Sequence, residues 1–134
     1  MTPEGLRYTK DHEWARLEGD TVTVGITHYA QDQLGDIVFL ELPALGRTLE
    51  AGQSLGVIEA VKTTSDIFAP AGGEVVAVNQ ALVDTPEKKG QPELVNHSPY
   101  EEGWMVKLRV RNPAELEALL DARGYAELLE GLHA

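Results

Sequence analysis

The chain has 134 residues, 43% of them hydrophobic, with 22 acidic and 11 basic side chains and a formal net charge of −11. Such a length buries roughly two-thirds of the unfolded surface, enough for one domain with a real core, and the apolar fraction excludes global disorder. The acidic balance disfavours nucleic acid and anionic membranes, which are bound by cations, and favours partners with basic docking surfaces.

The elements read in chain order as short strands followed by helices. Residues 13–17, a Glu18-Gly19-Asp20 turn and residues 21–27 (TVTVGIT) form a hairpin pattern with β-branched alternation. Residues 28–34 (HYAQDQL) are too polar and unbranched for a strand and predict a short helix ended by Gly35. The run 36–42 (DIVFLEL) is the most strand-like and is stopped by Pro43. Residues 55–60 and 64–69 are two strand candidates joined by a tight turn at Val61-Lys62-Thr63, and 74–79 (EVVAVN) resumes a strand after a turn at 70–73. The proline-rich stretch 80–103 reads mostly as loop, and 104–110 (WMVKLRV) as a last strand. Asn112-Pro113-Ala114-Glu115 then has the pattern of a capping box, with Leu116, Leu119 and Leu120 at helical spacing. Gly124 is expected to divide this tail into two helices, which cover the core. The expected organisation is a single domain, with a β-rich part and a helical cover over 112–134.

The lack of cysteine removes disulfides, thiolate catalysis and cysteine-ligated metals, so sulfur redox chemistry has to come from an attached group. The first residues, MTPEGLRYTKDHEW, have no apolar region and are not Arg-rich and acid-poor, so they read as neither signal nor transit peptide. No run approaches the ~20 apolar residues of a membrane span. A cytoplasmic location is expected.

Lys62 stands alone at the junction of two strand-like runs, with Glu59 and Asp66 as its nearest charges along the chain. As an isolated feature it reads as a solvated turn lysine. A Schiff-base or general-base lysine needs burial or a neighbouring cation, and an exposed acidic turn offers neither. The same turn suits a lysine that another enzyme must reach and modify. His12, His28, His97 and His133 match no metal spacing, and no P-loop, G-x-S-x-G or G-x-G-x-x-G is present. Gly52 lies ten residues before Lys62 and Gly73 eleven after it, each followed by a strand-like run, an echo of two similar halves about the lysine turn.

The stretch GVIEAVKTTSDIFAPAGGEVVAVN resembles the lipoyl-lysine segment of the glycine cleavage H-protein family. YTKDHEW, VGIT, GDIVFLELPALG and LVNHSPYEEGWMVK also resemble it, in the same order, so the likeness runs from about Tyr8 into the C-terminal helices. The resemblance implies a mainly β (β-rich α+β) lipoyl/biotinyl-type barrel-sandwich hybrid of two small antiparallel sheets over 8–110. It implies lipoate in amide linkage on Lys62, on an exposed hairpin turn. Such a protein is a carrier with no turnover of its own. It accepts an aminomethyl group from the pyridoxal-phosphate-dependent glycine decarboxylase (P protein) and presents it to the aminomethyltransferase (T protein), where tetrahydrofolate takes the one-carbon unit. A flavin-dependent dihydrolipoyl dehydrogenase (L protein) reoxidises the dithiol, and a lipoylating enzyme loads the lysine. By matching position, Glu13 and Asp66 line a cleft for the loaded arm, with Thr64 and Ser65 close by, and Glu59 fits recognition by the lipoylating enzyme. Relatives often have Ser-Val before the lysine, where this chain has Ala60-Val61. Many have histidine at the position of Tyr29, with His28 shifted by one, so no histidine role is carried over.

Three other readings compete. A biotin carrier typically flanks its lysine with methionine, whereas here Val61 and Thr63 do so. An H-like relay of lipoate to other complexes shares the motif set. An enzyme using Lys62 directly lacks the activating surroundings.

Overall fold

The computed structural model describes residues 2–133. Strand β1 (Arg7–Tyr8) leads into the hairpin of β2 (Glu13–Glu18) and β3 (Thr21–Ile26), followed by helix α1 (His28–Leu34). Then come β4 (Ile37–Glu41), β5 (Thr48–Leu49), β6 (Ser54–Ala60), β7 (Thr64–Phe68) and β8 (Gly73–Val78). A 3-10 turn at Gln80–Leu82 and α2 (Leu94–His97) interrupt the connection to β9 (Val106–Val110), and α3 (Ala114–Glu117) and α4 (Ala122–His133) follow.

All strand pairs are antiparallel, in a six-stranded sheet of order β1-β2-β3-β9-β8-β5 and a three-stranded sheet of order β4-β6-β7. The expected pair of antiparallel sheets with a few short helices is present, and neither sheet closes on itself. The β2–β3 hairpin turns tightly at Gly19-Asp20, with Glu18 opposite Thr21, and Gly19 takes the left-handed φ of 66° that such a turn favours. Thr27 caps α1 by accepting the N–H of Ala30 at 3.2 Å, and Gly35, at φ 79°, ends it by donating to the Gln31 carbonyl.

Alternation in β2 places its side chains on both faces of the six-stranded sheet. Ala15 joins the main core between the sheets, with Val22, Val24, Ile58, Ile67, Val106 and Leu108. Trp14 faces the other way, into a second cluster with Leu6, Tyr8, Ala122 and Tyr125. The ring of Trp14 lies over Gly25, its cross-strand partner, so closely that a Cβ there would fall 2.8 Å from the indole. Helix α4 lies over this outer cluster, with Leu128 and Leu129 packed against it and Leu132 left exposed. The tail therefore covers apolar surface, as its leucine spacing predicts.

Two expectations about the tail are corrected. The break between its helices falls at Leu120, and Gly124 sits inside α4. Leu120 is drawn out of helical geometry because its N–H and C=O both pair with Tyr8, at 2.9 and 2.8 Å. Asp121 then caps the restart by accepting the Gly124 N–H at 2.8 Å. The capping box does not close either: Glu115 turns away from Asn112 and accepts the Gly72 N–H at 2.9 Å. A buried strand-end donor outcompetes a solvated helix end for that carboxylate. The stretch 80–103, expected as mostly loop, holds one 3-10 turn and the four-residue α2, and the two-residue strands β1 and β5 are too short to leave a pattern in sequence.

Gly73 marks a tight strand approach. Its Cα faces Leu49 on one side and Val110 on the other, and an added Cβ would meet the Arg109 carbonyl oxygen at 2.4 Å. Backbone cannot rotate out of the way as a side chain can. Gly73→Ala is expected to lower stability by about 1–3 kcal/mol, read as a fall in the urea midpoint.

Candidate functional site

The β6–β7 hairpin presents Lys62. Its turn is built from short-range backbone bonds, with the Ala60 N–H donating to the Thr63 carbonyl at 2.8 Å. The Val61 N–H donates to the Asp36 carbonyl at 3.0 Å, which fastens the turn to the segment between α1 and β4. That segment is itself held. Asn96 donates to the Gly35 carbonyl at 2.9 Å and accepts the Ile37 N–H at 3.0 Å. The chain from Asn96 through Asp36 to Val61 fixes the base of the lysine, while its side chain is exposed. Lys62 makes no ion pair among the described residues, and neither Glu59 nor Asp66 reaches it. In the hairpin ladder Glu59 stands opposite Thr64 and Asp66 opposite Val57. Sequence proximity to the lysine is therefore not contact with it. The Lys62 stem lies across Gly35, where a Cβ would come 3.3 Å from Cε.

A cleft of about 150 Å³ lies between α1, the end of the β1–β2 connection and the edge of β7. Ile26, Ile58, Ile67 and Leu34 give it an apolar lining, and Asp11, His12, Glu13, Gln33, Ser65 and Asp66 are among its polar residues. Glu13, Ser65 and Asp66 thus line one cleft. Thr64 does not line the cleft: it is exposed and opposes Glu59 across the hairpin. Glu59 is likewise exposed, outside the cleft.

Glu13 is the unusual group. It is only 2% exposed, on the face of β2 that looks toward the three-stranded sheet. Its Oε2 accepts the Phe68 N–H from β7 at 3.1 Å, and its Oε1 accepts the Thr9 hydroxyl at 2.5 Å. A carboxylate therefore joins the two sheets at the cleft. Burial pushes its pKa from 4.5 up to about 7, and the bonds from Thr9 and Phe68 only partly offset this. Asp66 is exposed, and its Oδ1 accepts from Ser54 at 3.3 Å.

Sequence spacing does not single out His12, yet it lines the cleft. It holds a left-handed backbone, φ 70°, and its ring packs against Tyr29 and Tyr125. Its Nδ1 is 2.8 Å from the Tyr125 hydroxyl, which is 2.7 Å from Thr27 Oγ1. Burial lowers the His12 pKa, so the ring favours its neutral form. The C-terminal helix thereby reaches the cleft through one tyrosine hydroxyl, a link between residues 113 positions apart that no local pattern announces. Tyr125→Phe is expected to cost about 1–3 kcal/mol, because Thr27 and His12 lose a partner in a buried place. Urea unfolding of the two proteins measures it.

A fixed hairpin that presents one exposed lysine, near a partly apolar cleft with a buried carboxylate, on a two-sheet scaffold, is the arrangement of a carrier-type fold. The profile of the glycine cleavage H-protein family matches residues 6–131. The glycine cleavage system H protein of one Thermus thermophilus strain is 56% identical over 128 residues, covering 96% of this chain and 95% of that one. H protein 2 of Pseudomonas aeruginosa is 59% identical over 124 residues, with 92% and 91% covered. The crystal structure of a glycine cleavage system H protein from Mycobacterium marinum superposes with a TM-score of 0.84 at 40% identity, covering 96% of this chain and 98% of that one. The chain belongs to the glycine cleavage H-protein family, the lipoyl carriers of the glycine cleavage system. No helix among the described residues is long and apolar enough to cross a membrane.

Proposed function

We propose that lipoate is joined in amide linkage to Lys62, and that the chain carries the aminomethyl group of glycine from the decarboxylase to the aminomethyltransferase and is reoxidised by dihydrolipoyl dehydrogenase. The observation that carries this reading is an exposed lysine, fixed at its base, beside a cleft of suitable chemistry. The residues fit the group: amide formation needs an accessible amine, and a largely apolar arm needs an apolar lining. When attached, lipoate supplies the disulfide–dithiol couple that a chain without cysteine lacks.

The chain's own residues then do three things. The hairpin holds Lys62 at a constant point, so that docking of a partner turns each encounter into an intramolecular one. Ile26, Ile58, Ile67 and Leu34 exclude water from the cleft, which protects a labile cargo. Glu13, assisted by Asp66 and Ser65, holds the cargo's ammonium. With a pKa of about 7, Glu13 is partly protonated in the empty cleft and gives its proton to solvent as a cation arrives.

The test is the mass of the Lys62 peptide from protein made with lipoate and its attachment enzyme. A lipoyl adduct on Lys62 is expected, and an unmodified lysine would count against the reading. A negative streptavidin blot separates it from a biotin carrier.

A further inference from the structure

A second surface adjoins the Lys62 turn and takes no part in the cleft. The β4–β6 register slips between Ile37 and Phe39. Strict alternation would bury one of two consecutive side chains, but at this bulge Val38 and Phe39 are both 53% exposed. Val61, 75% exposed, is held near them, because its N–H bonds to the carbonyl of Asp36, the residue just before β4. Between β4 and the 82–93 segment runs a groove of about 440 Å³, the largest of the described cavities, lined by Ile37, Val38, Phe39, Leu82, Val83 and Pro92 among others. An exposed apolar ridge is unusual on a small acidic protein, and the groove beside it mixes apolar with charged side chains. The surrounding charges are mostly acidic: Asp36, Glu41 and Glu59 by the ridge and Asp84 and Glu93 in the groove, against Lys62 and Lys89.

We propose that this ridge and groove are the docking surface for the enzyme that acylates Lys62, a protein that meets them with apolar side chains ringed by Lys and Arg. The occupant is selected by reach. An enzyme that acts on the far end of an arm already in place can dock anywhere within the arm's length. The acylating enzyme has no arm to work with, and must bring its activated carbon to Nζ, so its footprint has to cover the turn and what adjoins it. The neutral Lys62 amine attacks the carbonyl carbon of a lipoyl adenylate, itself formed from lipoate and ATP. The C–N amide bond forms, the bond to AMP breaks, and the proton of the lysine goes to solvent. The acidic rim steers a basic enzyme toward the ridge, and burial of Phe39 and Val38 slows its departure. The inference rests on the reading of Lys62 as the lipoyl site and adds where the loading enzyme binds.

The experiment uses the unmodified full chain, a purified lipoate–protein ligase, lipoate and ATP, with lipoylation followed by intact mass against carrier concentration. The double variant Val38→Ser/Phe39→Ser is expected to raise KM about tenfold with kcat within about twofold. Leu45→Ser, changing a residue 62% exposed elsewhere, is the control and leaves both unchanged. Melting curves establish that each variant is folded. Glu59→Gln, which leaves the apolar ridge intact, is expected to raise KM and weaken its salt dependence. Variants forced to full lipoylation with excess ligase are expected to support decarboxylase-dependent glycine–bicarbonate exchange at the wild-type rate. An unchanged KM in the double variant and in Glu59→Gln overturns the proposal. So does an equal loss in exchange, which makes the surface common to all partners, and so does a wild-type dimer in sedimentation that the double variant abolishes. Failure of the wild-type chain to be lipoylated at all would refute the reading of Lys62 instead.

Discussion

Lys62→Arg is expected to abolish lipoylation and, with it, glycine-dependent aminomethyl transfer, while the melting temperature stays within error of wild type. The expectation follows from the geometry of the turn. Lys62 is exposed and makes no ion pair among the described residues, so the fold does not depend on its head group. The backbone bonds that shape the hairpin, Ala60 to Thr63 and Val61 to Asp36, involve no side chain of residue 62. Arginine keeps the charge and most of the stem, but its delocalised guanidinium does not serve as an amine nucleophile for amide formation. Intact mass after incubation with ligase, lipoate and ATP gives one readout, and glycine–bicarbonate exchange with the decarboxylase gives the other. Full exchange activity in the variant would remove the carrier role from this residue.

Glu13→Gln separates pH from structure. In the folded chain burial raises the Glu13 pKa from 4.5 to about 7. Below 4.5 the carboxyl is protonated in both states, and its contribution to stability is complete. As pH rises the unfolded chain ionises first, so stability is lost between about 4.5 and 7 and remains lost above. Glutamine keeps a polar group for Thr9 and Phe68 but has no proton to lose. Relative to the variant, wild type is therefore expected to lose about 3 kcal/mol between about pH 4.5 and 8. His12 acts in the opposite sense, since its lowered pKa costs stability as pH falls below its ordinary value, but it is common to both proteins and cancels in the difference. Urea unfolding across this range measures the effect, and a pH-independent difference would overturn it. Function moves the other way: once charged by the decarboxylase, the variant is expected to release its cargo to water roughly tenfold faster, through loss of one charge-assisted hydrogen bond.

Much of the architecture is legible in sequence because it is local. The β2–β3 hairpin, α1 with its Gly35 end, and the hairpin about Lys62 all follow from alternation and turn residues within a few positions. The tail departs from its pattern where a local rule meets a distant competitor. Gly124 is a reasonable helix breaker, yet the break is made at Leu120 by pairing with Tyr8. Glu115 fits a capping box, yet it is taken by Gly72. The strands β1 and β5 exist only as partners for longer strands.

For the site, the proposed attachment point was legible in the residues themselves: a solitary lysine between two β-branched runs, in a chain with no cysteine, within a motif set that resembles one family. The resemblance also singled out Glu13 together with Ser65 and Asp66, which lie 52 and 53 residues further along the chain. The closed fold settles which of them share a cleft, leaves Thr64 and Glu59 outside it, and brings in His12, backed by the Tyr125 hydroxyl. It also made Glu13 unusual, since a glutamate in YTKDHEW has an ordinary pKa until the second sheet removes its water and offers the Phe68 N–H instead. The division has a physical reason. Turns and strand patterns depend on neighbours along the chain, whereas desolvation and long-range hydrogen bonds depend on what the closed fold places nearby.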